Sequence, residues 1–260
     1  MLTYPKIDPV IVHIYGNMAI RWYSLAYIFG FLICYFFFKH KNQKLNIINN
    51  EMFEKLMTSI ICGVILGARL FDCFFYNFFD TIKNPISIFR VWEGGMSFHG
   101  GCIGVFLVFF VFSKIYKVKV LPILDLMLVV VPLALFFGRI ANFINGELYG
   151  NITYNSPFRM IFPTDYTQQP RHPSQLYEAF AEGICLFTIM FFLYKKTNFI
   201  KKSGLLTGCF GVFYSIARFL CEFFRKPEIS NSFGLTAGQW LSLLMTVFCI
   251  IFVLYIFKKK

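Results

Sequence analysis

The chemistry-bearing residues of this sequence sit in four short stretches, each at the edge of a long apolar run. In GRIANFINGELYG (138–150), Arg139, Asn142 and Asn145 fall at i, i+3 and i+6, with Glu147 close behind. On a continuing helix these positions share a face. They present an arginine fork and amide donors of the kind that hold an oxyanion, with Asn142 and Glu147 able to fix the arginine's rotamer. A helix end capped against water would use the same residues. A second set, Tyr214, Arg218, Glu222 and Arg225, recurs at i, i+4, i+8 and i+11. At 100° per residue it spans about 80° of arc. It reads either as a structural Arg218–Glu222 ion pair or as an anion site in which Glu222 orients an arginine.

The third stretch, RHPSQLYEAFAEG (171–183), places Pro173 and Ser174 at a helix start and then repeats polar residues at Gln175, Glu178 and Glu182. Helix-start chemistry accounts for Pro173 and Ser174, and hydrogen bonds between helices are the plain reading of the stripe. The fourth, GGMSFHGGCIG (94–104), has five glycines around His99. Glycines so spaced let helix backbones approach. His99 is either a general base or a hydrogen-bonded core residue. The remaining histidines, His13, His40 and His172, lie outside the apolar runs, so a zinc site is not expected. Arg69 and Asp72, three residues apart, read as an ion pair within an apolar run, and Asp125 is given no chemistry.

These stretches must be positioned by membrane helices. Of 260 residues, 57% are hydrophobic and 15% charged, and phenylalanine supplies 36. A soluble domain carries about a quarter charged residues, and a spanning helix needs about 20 largely apolar ones. The composition predicts an all-α polytopic membrane protein forming one domain over residues 1–260. It has about seven transmembrane helices, near 19–38, 54–77, 97–113, 121–138, 174–194, 204–224 and 236–257. Residues 78–96 and 139–173 read as the long connections. Eight cysteines lie in the apolar segments without C-x-x-C spacing, as small buried hydrophobes. Residues 1–18 lack a basic n-region, so no cleaved signal peptide is expected.

Charge gives the orientation. Thirteen lysines cluster after the first, third and fifth spans and at the end of the chain, whereas all eight arginines lie elsewhere. The positive-inside rule makes the lysine-rich side cytoplasmic, with the N-terminus outside and the C-terminus inside. The net charge of +12 is spread in these clusters, not along a stripe interleaved with aromatics, so nucleic acid is not an expected partner. Arginine grips phosphate and carboxylate bidentately where lysine cannot. The segregation therefore points to an anion on the outer side, or to codon bias with a few structural arginine pairs.

Taken together, GRIANFINGELYG, GGMSFHGG (94–101), RHPSQLYEA (171–179), ARFLCEFFRKPE (217–228), AGQWLS (237–242), MAIRWYSLAYIFGF (18–31) and GARLFDCFFYN (67–77) resemble the prolipoprotein diacylglyceryl transferase family over nearly the whole chain. The resemblance implies transfer of a diacylglyceryl group from phosphatidylglycerol to the lipobox cysteine of a prolipoprotein, with glycerol 1-phosphate leaving. It implies a multi-pass protein of the bacterial cytoplasmic membrane whose site opens outward. Its partners are phosphatidylglycerol, prolipoprotein lipobox segments and membrane lipid, and no metal or soluble cofactor is implied. Arg139 matches the family's phosphatidylglycerol-binding arginine and Arg218 its second essential one. His99, Tyr23, Asn142, Glu147, Gly150, Tyr214 and Glu222 match further functional positions. Catalysis is thus expected of His99, Arg139, Arg218 and Tyr23, and substrate binding of Arg139, Asn142, Glu147, Gly150, Tyr214 and Glu222. Ala141 stands where many members have Gly, Asn151 where Arg often follows, and residues 151–170 are shorter than in some relatives. The rival classes are a small anion or lipid transporter lined by Arg69, Arg139 and Arg218, against which the lack of an internal repeat weighs, and a non-catalytic lipid-binding scaffold.

Overall fold

The computed structural model describes residues 1–15, 18–198, 201–226 and 234–258; Pro227, Glu228, Lys259 and Lys260 lie outside them. Among the described residues a short two-stranded sheet, β1 (Val10–Tyr15) and β2 (Met18–Arg21), precedes ten α-helices. These are α1 (Trp22–Leu45), α2 (Asn50–Phe71), α3 (Phe78–Lys83), α4 (Phe98–Tyr116), α5 (Val120–Met127), α6 (Val131–Ile144), α7 (Ser174–Glu178), α8 (Leu186–Lys196), α9 (Leu205–Glu222) and α10 (Ala237–Lys258). A π-helical turn over Asp72–Tyr76 continues α2, and another over Ala179–Cys185 joins α7 to α8. Among the described residues, six helices are long and apolar enough to span a membrane, and the bent pair α5–α6 makes a seventh.

Two boundaries differ from the sequence expectation, both for local reasons. Helix α1 runs on through Lys39, Lys41 and Lys44. Lysine is a good helix former, and a cation in the last turn suits the helix dipole. The fourth span is broken: α5 and α6 meet at 51° beside Pro132, whose ring and missing N–H prevent a continuous helix. Helix α6 then continues to Ile144. Arg139 and Asn142 are therefore helical, and the connection starts at Asn145, not at 139.

Packing divides the chain into two compact units: residues 1–12, 20–38 and 121–260, and residues 13–19 and 39–120. In the second unit α2 and α4 pack through glycines. A Cβ at Gly67 would lie 2.9 Å from the Gly104 Cα, and one at Gly63 would lie 3.0 Å from the Gly104 carbonyl, the close approach that small residues four apart permit. Arg69, at the end of α2, is buried, and its guanidinium donates to the carbonyls of Ser87, Ile88, Gly94 and Gly95. Asp72 is farther, at 4.0 Å. The expected ion pair is thus mainly a clasp on backbone oxygens that shapes the 84–95 connection. The eight cysteines are free thiols, and Cys62 and Cys102 are exposed on their helices. The expectation of burial fails there because a membrane helix turns apolar side chains outward as readily as inward.

In the first unit α9 packs along α10, where a Cβ at Gly208 would meet Val253 Cγ2 at 2.5 Å. The start of α9 is held from another helix. Gly204 has φ +96° and no side chain with which to cap. Fully buried Asp125 of α5 accepts from Gly204 N at 2.6 Å and from Thr207 N and Oγ1 at 2.7 Å each. Removing it strands one buried and one partly buried N–H group at about 1–3 kcal/mol each. Asp125→Ala is therefore expected to lower stability by about 2–5 kcal/mol, read as a fall in melting temperature in detergent. Glu54→Gln, which breaks a half-exposed pair with Lys39 at 3.2 Å, is expected to change stability by less than about 1 kcal/mol.

Candidate active site: an arginine–glutamate cluster

Helices α6, α7 and α9, with the π-helical turn after α7, converge on a cluster of buried charge. Gly183 makes the convergence possible: a Cβ there would lie 2.6 Å from the Phe136 Cβ and 3.0 Å from its Cα. Because α6 seats against that turn, Arg139, one helical turn beyond Phe136, meets both glutamates of the stripe. Its Nε lies 2.8 Å from Glu178 Oε2, an ion-pair contact, and its Nη2 donates to Glu182 Oε2 at 3.3 Å. Arg218 of α9 approaches from the other side. Its Nη1 lies 3.0 Å from Glu178 Oε1 and 3.7 Å from Glu182 Oε1, and its Nη2 lies 2.7 Å from Glu222 Oε2, one turn along the same helix. Arg225 Nη1 is 3.5 Å from Glu178 Oε1.

Three guanidiniums thus face three carboxylates, and the cluster is formally neutral. Glu178 and Glu182 are essentially inaccessible, whereas the arginine side chains keep 18%, 17% and 13% exposure at 139, 218 and 225. Arg139 keeps Nη1, and Arg218 keeps Nε, without a partner among the described residues. Carboxylates fix these groups without using every donor. Tyr214 belongs to the same face of α9, and its ring stacks on Phe210 with centroids 5.7 Å apart.

Glu222 is held from a second helix. Thr236 Oγ1 donates to Glu222 Oε1 at 3.1 Å and accepts from Gln239 N at 3.2 Å, while Gln239 Oε1 accepts from Thr236 N at 2.9 Å. This reciprocal capping box starts α10 beside the carboxylate. A Cβ at Gly238 would lie 2.7 Å from Glu222 Oε1, so the AGQW stretch leaves room for it.

Asn142 and Glu147 do not brace Arg139, which corrects the sequence expectation. They bind each other, Asn142 Nδ2 donating to Glu147 Oε1 at 2.7 Å, with Asn145 Nδ2 adding a bond at 3.4 Å. Gln175 Nε2 and Ser174 Oγ donate to the carbonyls of Glu147 and Leu148 at 2.6 and 3.0 Å. The 145–150 turn is therefore tied to the helix that carries Glu178. Gly150 pairs with Arg225 in an antiparallel bridge, and its N–H donates to His172 O at 2.9 Å. A Cβ there would lie 2.9 Å from both the His172 Cβ and its carbonyl, so only glycine fits. Tyr23, half-buried in α1, packs on Tyr27 at 5.2 Å between ring centroids. His99 belongs to the second unit, where it is exposed in the first turn of α4, 3.5 Å from the Tyr76 hydroxyl.

The connection from 145 to 173 is ordered by its own charges. Arg171 is buried and donates to both Asp165 oxygens, to Gly150 O and to Thr167 Oγ1, with its guanidinium 4.9 Å above the Tyr149 ring. Beneath it Phe143, Met160 and Phe162 form a small core with Tyr4, Tyr149 and Leu176. Arg171 is thus a structural residue and no anion donor. The hydrogen bonds from Arg171 hold the Asp165 carboxyl well below the usual carboxylate range, and burial pushes the His172 imidazole down.

Glu178 and Glu182 were noted in the sequence only as a polar stripe. The signal that finds them is charge balance, since buried guanidiniums require buried counter-charges and these are the carboxylates four apart on a neighbouring helix.

A chain of six or seven membrane-spanning helices that gathers three largely buried arginines over buried glutamates is a polytopic membrane protein with a paired charge cluster among its helices. The comparisons give the lineage. Residues 9–255 match the family described as prolipoprotein diacylglyceryl transferase, and the chain belongs to that family. A Rickettsia bellii relative called phosphatidylglycerol–prolipoprotein diacylglyceryl transferase is 46% identical over 257 residues, covering 96% of this chain and 97% of its own. The Rickettsia akari protein of that name is 45% identical over 250 residues, with 95% of each chain covered. The Rickettsia felis protein is 46% identical over 248 residues, covering 94% of this chain and 95% of its own.

The Asp165–Arg171 pair gives a prediction with a definite sign. A carboxyl whose folded pKa is depressed stabilises the fold above its unfolded value, about 3.9, and that stability is lost as pH falls through the folded value. Amide-exchange protection at Met160 and Arg171, whose backbones pair, is expected to stay level from about pH 7 to 5 and to decline below about pH 4. Asp165→Asn is expected to raise tryptic cleavage of the 145–173 connection at neutral pH by roughly tenfold or more.

Proposed function

We propose that this chain transfers the diacylglyceryl group of phosphatidylglycerol to the lipobox cysteine thiol of prolipoproteins, the first step of lipoprotein maturation. It forms a thioether and releases glycerol 1-phosphate. The observation that carries the reading is the cluster of Arg139, Arg218 and Arg225 on Glu178, Glu182 and Glu222, in a chain of this family. The membrane is the bacterial cytoplasmic membrane, with the N-terminus and the site on its outer face and the lysine-rich connections in the cytoplasm.

The bond that forms joins sulfur to the glycerol carbon bearing the phosphate ester, and the bond that breaks is that carbon's bond to oxygen. Attack is at carbon, so the protein must supply a thiolate and stabilise a departing phosphate. Arg139 and Arg218 take the phosphodiester with the donors their carboxylates leave open, and they hold the charge that grows on the leaving group. Glu222 orients Arg218, and Tyr214 lines the same face. Asn142, Glu147 and Gly150 act by fixing the turn that ends α6. A free thiol is a poor nucleophile, and His99 is the general base in this reading, with Tyr23 or the field of the arginines as its substitutes.

One assay separates this reading from transport or passive lipid binding. Purified chain, phosphatidylglycerol and a lipobox peptide are incubated, and the peptide is expected to gain the mass of one diacylglyceryl unit. A peptide of unchanged mass would refute the transferase reading. In the same assay Arg139→Ala is expected to be essentially inactive, since a buried phosphate without its partner costs several kcal/mol. His99→Gln is expected to slow transfer by about 100-fold or more, and near-normal transfer would remove His99 from the role.

A further inference from the structure

We infer that Glu178 is the positioning residue of the transfer reaction, the one carboxylate that sets three arginines into a single array for the lipid phosphate. The inference rests on the transferase reading and adds a residue to it. Among the described residues only Glu178 reaches all three, at 2.8 Å to Arg139 Nε, 3.0 Å to Arg218 Nη1 and 3.5 Å to Arg225 Nη1. Glu182 touches two and Glu222 one. Arg139 comes from α6 and Arg218 from α9, while Arg225 follows the end of α9. Arg218 and Arg225 stand seven residues apart at the end of one helix, but no local geometry brings Arg139 to them, and their like charges oppose it.

The grip is directional. Glu178 and Glu182 take the Nε–Nη2 edge of Arg139 and leave Nη1, while the three glutamates take both Nη groups of Arg218 and leave Nε. Each guanidinium plane is thereby set before any anion arrives, as preorganised electrostatics requires. Glu178 is itself held. It is 1% exposed, and Ser174 and Gln175 of its own helix are bonded to the carbonyls of Leu148 and Glu147. Gly183 seats the turn that follows against Phe136. Water cannot replace its charge at that depth.

Glu178→Gln keeps the volume and removes the charge, leaving three cations on two carboxylates. The extra positive charge does not weaken attraction for an anionic lipid, so KM for phosphatidylglycerol is expected to stay level or fall. The guanidiniums lose their common reference, so kcat is expected to fall by about 100-fold, the scale set by misplacing reacting groups by about 1 Å. A residue needed only for folding would reduce the yield of folded protein and leave kcat per folded molecule unchanged.

The test uses the full chain in lipid nanodiscs with phosphatidylglycerol and a lipobox peptide. Rates are normalised to folded protein, and arginine Nε–H resonances are recorded on protein labelled with 15N-arginine. A large drop in kcat without a rise in KM, together with loss of the Arg139 Nε–H resonance, supports the role. A kcat within threefold of the parent overturns it, as does a loss that the folded fraction accounts for. If Glu178→Gln does not fold, Glu178→Asp, with its charge one methylene back, is judged by the same criteria. If the parent chain transfers nothing, the transferase reading fails by itself. The resonance then decides, its loss in the variant supporting the positioning role and its retention overturning it.

Discussion

Buried charge must be paired, and the first compact unit is arranged around that constraint. Within membrane-spanning helices an unmatched guanidinium is costly, and three are brought together at 139, 218 and 225. The glutamates that neutralise them lie on different elements, so electrostatics fixes which helices meet: α6 and α9 on Glu178 at the end of α7 and Glu182 in the turn that follows, and α10 on Glu222 through Thr236. The glycines follow from this. Gly183 and Gly238 occur where a Cβ would push one member of the cluster away from another.

A neutral cluster suits a substrate that brings its own charge. Guanidiniums without counter-charges would bind many anions and would repel one another out of register. Guanidiniums half-satisfied by carboxylates keep a direction and a few open donors. Such a site favours a ligand that matches those donors over one that merely carries charge, the kind of discrimination a membrane rich in anionic headgroups demands. Asn142, Glu147 and Gly150 contribute at one remove, since the turn they build sets where α6 ends and where Arg225 lies.

Local features were legible in the sequence, and pairings between distant segments were not. The spans followed from apolar length, and the Arg218–Glu222 pair from helical spacing, because both depend on neighbours along one helix. The α2–α4 contact could be anticipated from glycine spacing. Arg139 with Glu178 could not be paired in advance, since their separation of 39 residues has no periodicity to reveal it. Glu147, read as able to brace Arg139, binds Asn142 instead, an equally good partner that stands nearer. Arg69 was read as a partner of Asp72, and Arg171 stood only among the eight arginines set apart from the lysines, whereas each spends its donors on other oxygens of the protein. Residue type told that a strong donor was present but not what would reach it first.

The bridge at Gly150 limits how this part of the chain can vary. Gly150 N donates to His172 O, Asn151 N to Phe224 O, and the strand pair places Arg225 opposite Gly150. One residue more or fewer between Asn145 and Gly150 would slide that register and carry Arg225 off Glu178. Length change is affordable only farther out, between Thr153, bonded to Pro170 O, and Met160, bonded to Arg171. The connection is therefore a ruler at its base and free at its tip. Relatives of different loop length can keep the same charge array beneath tips of different shape.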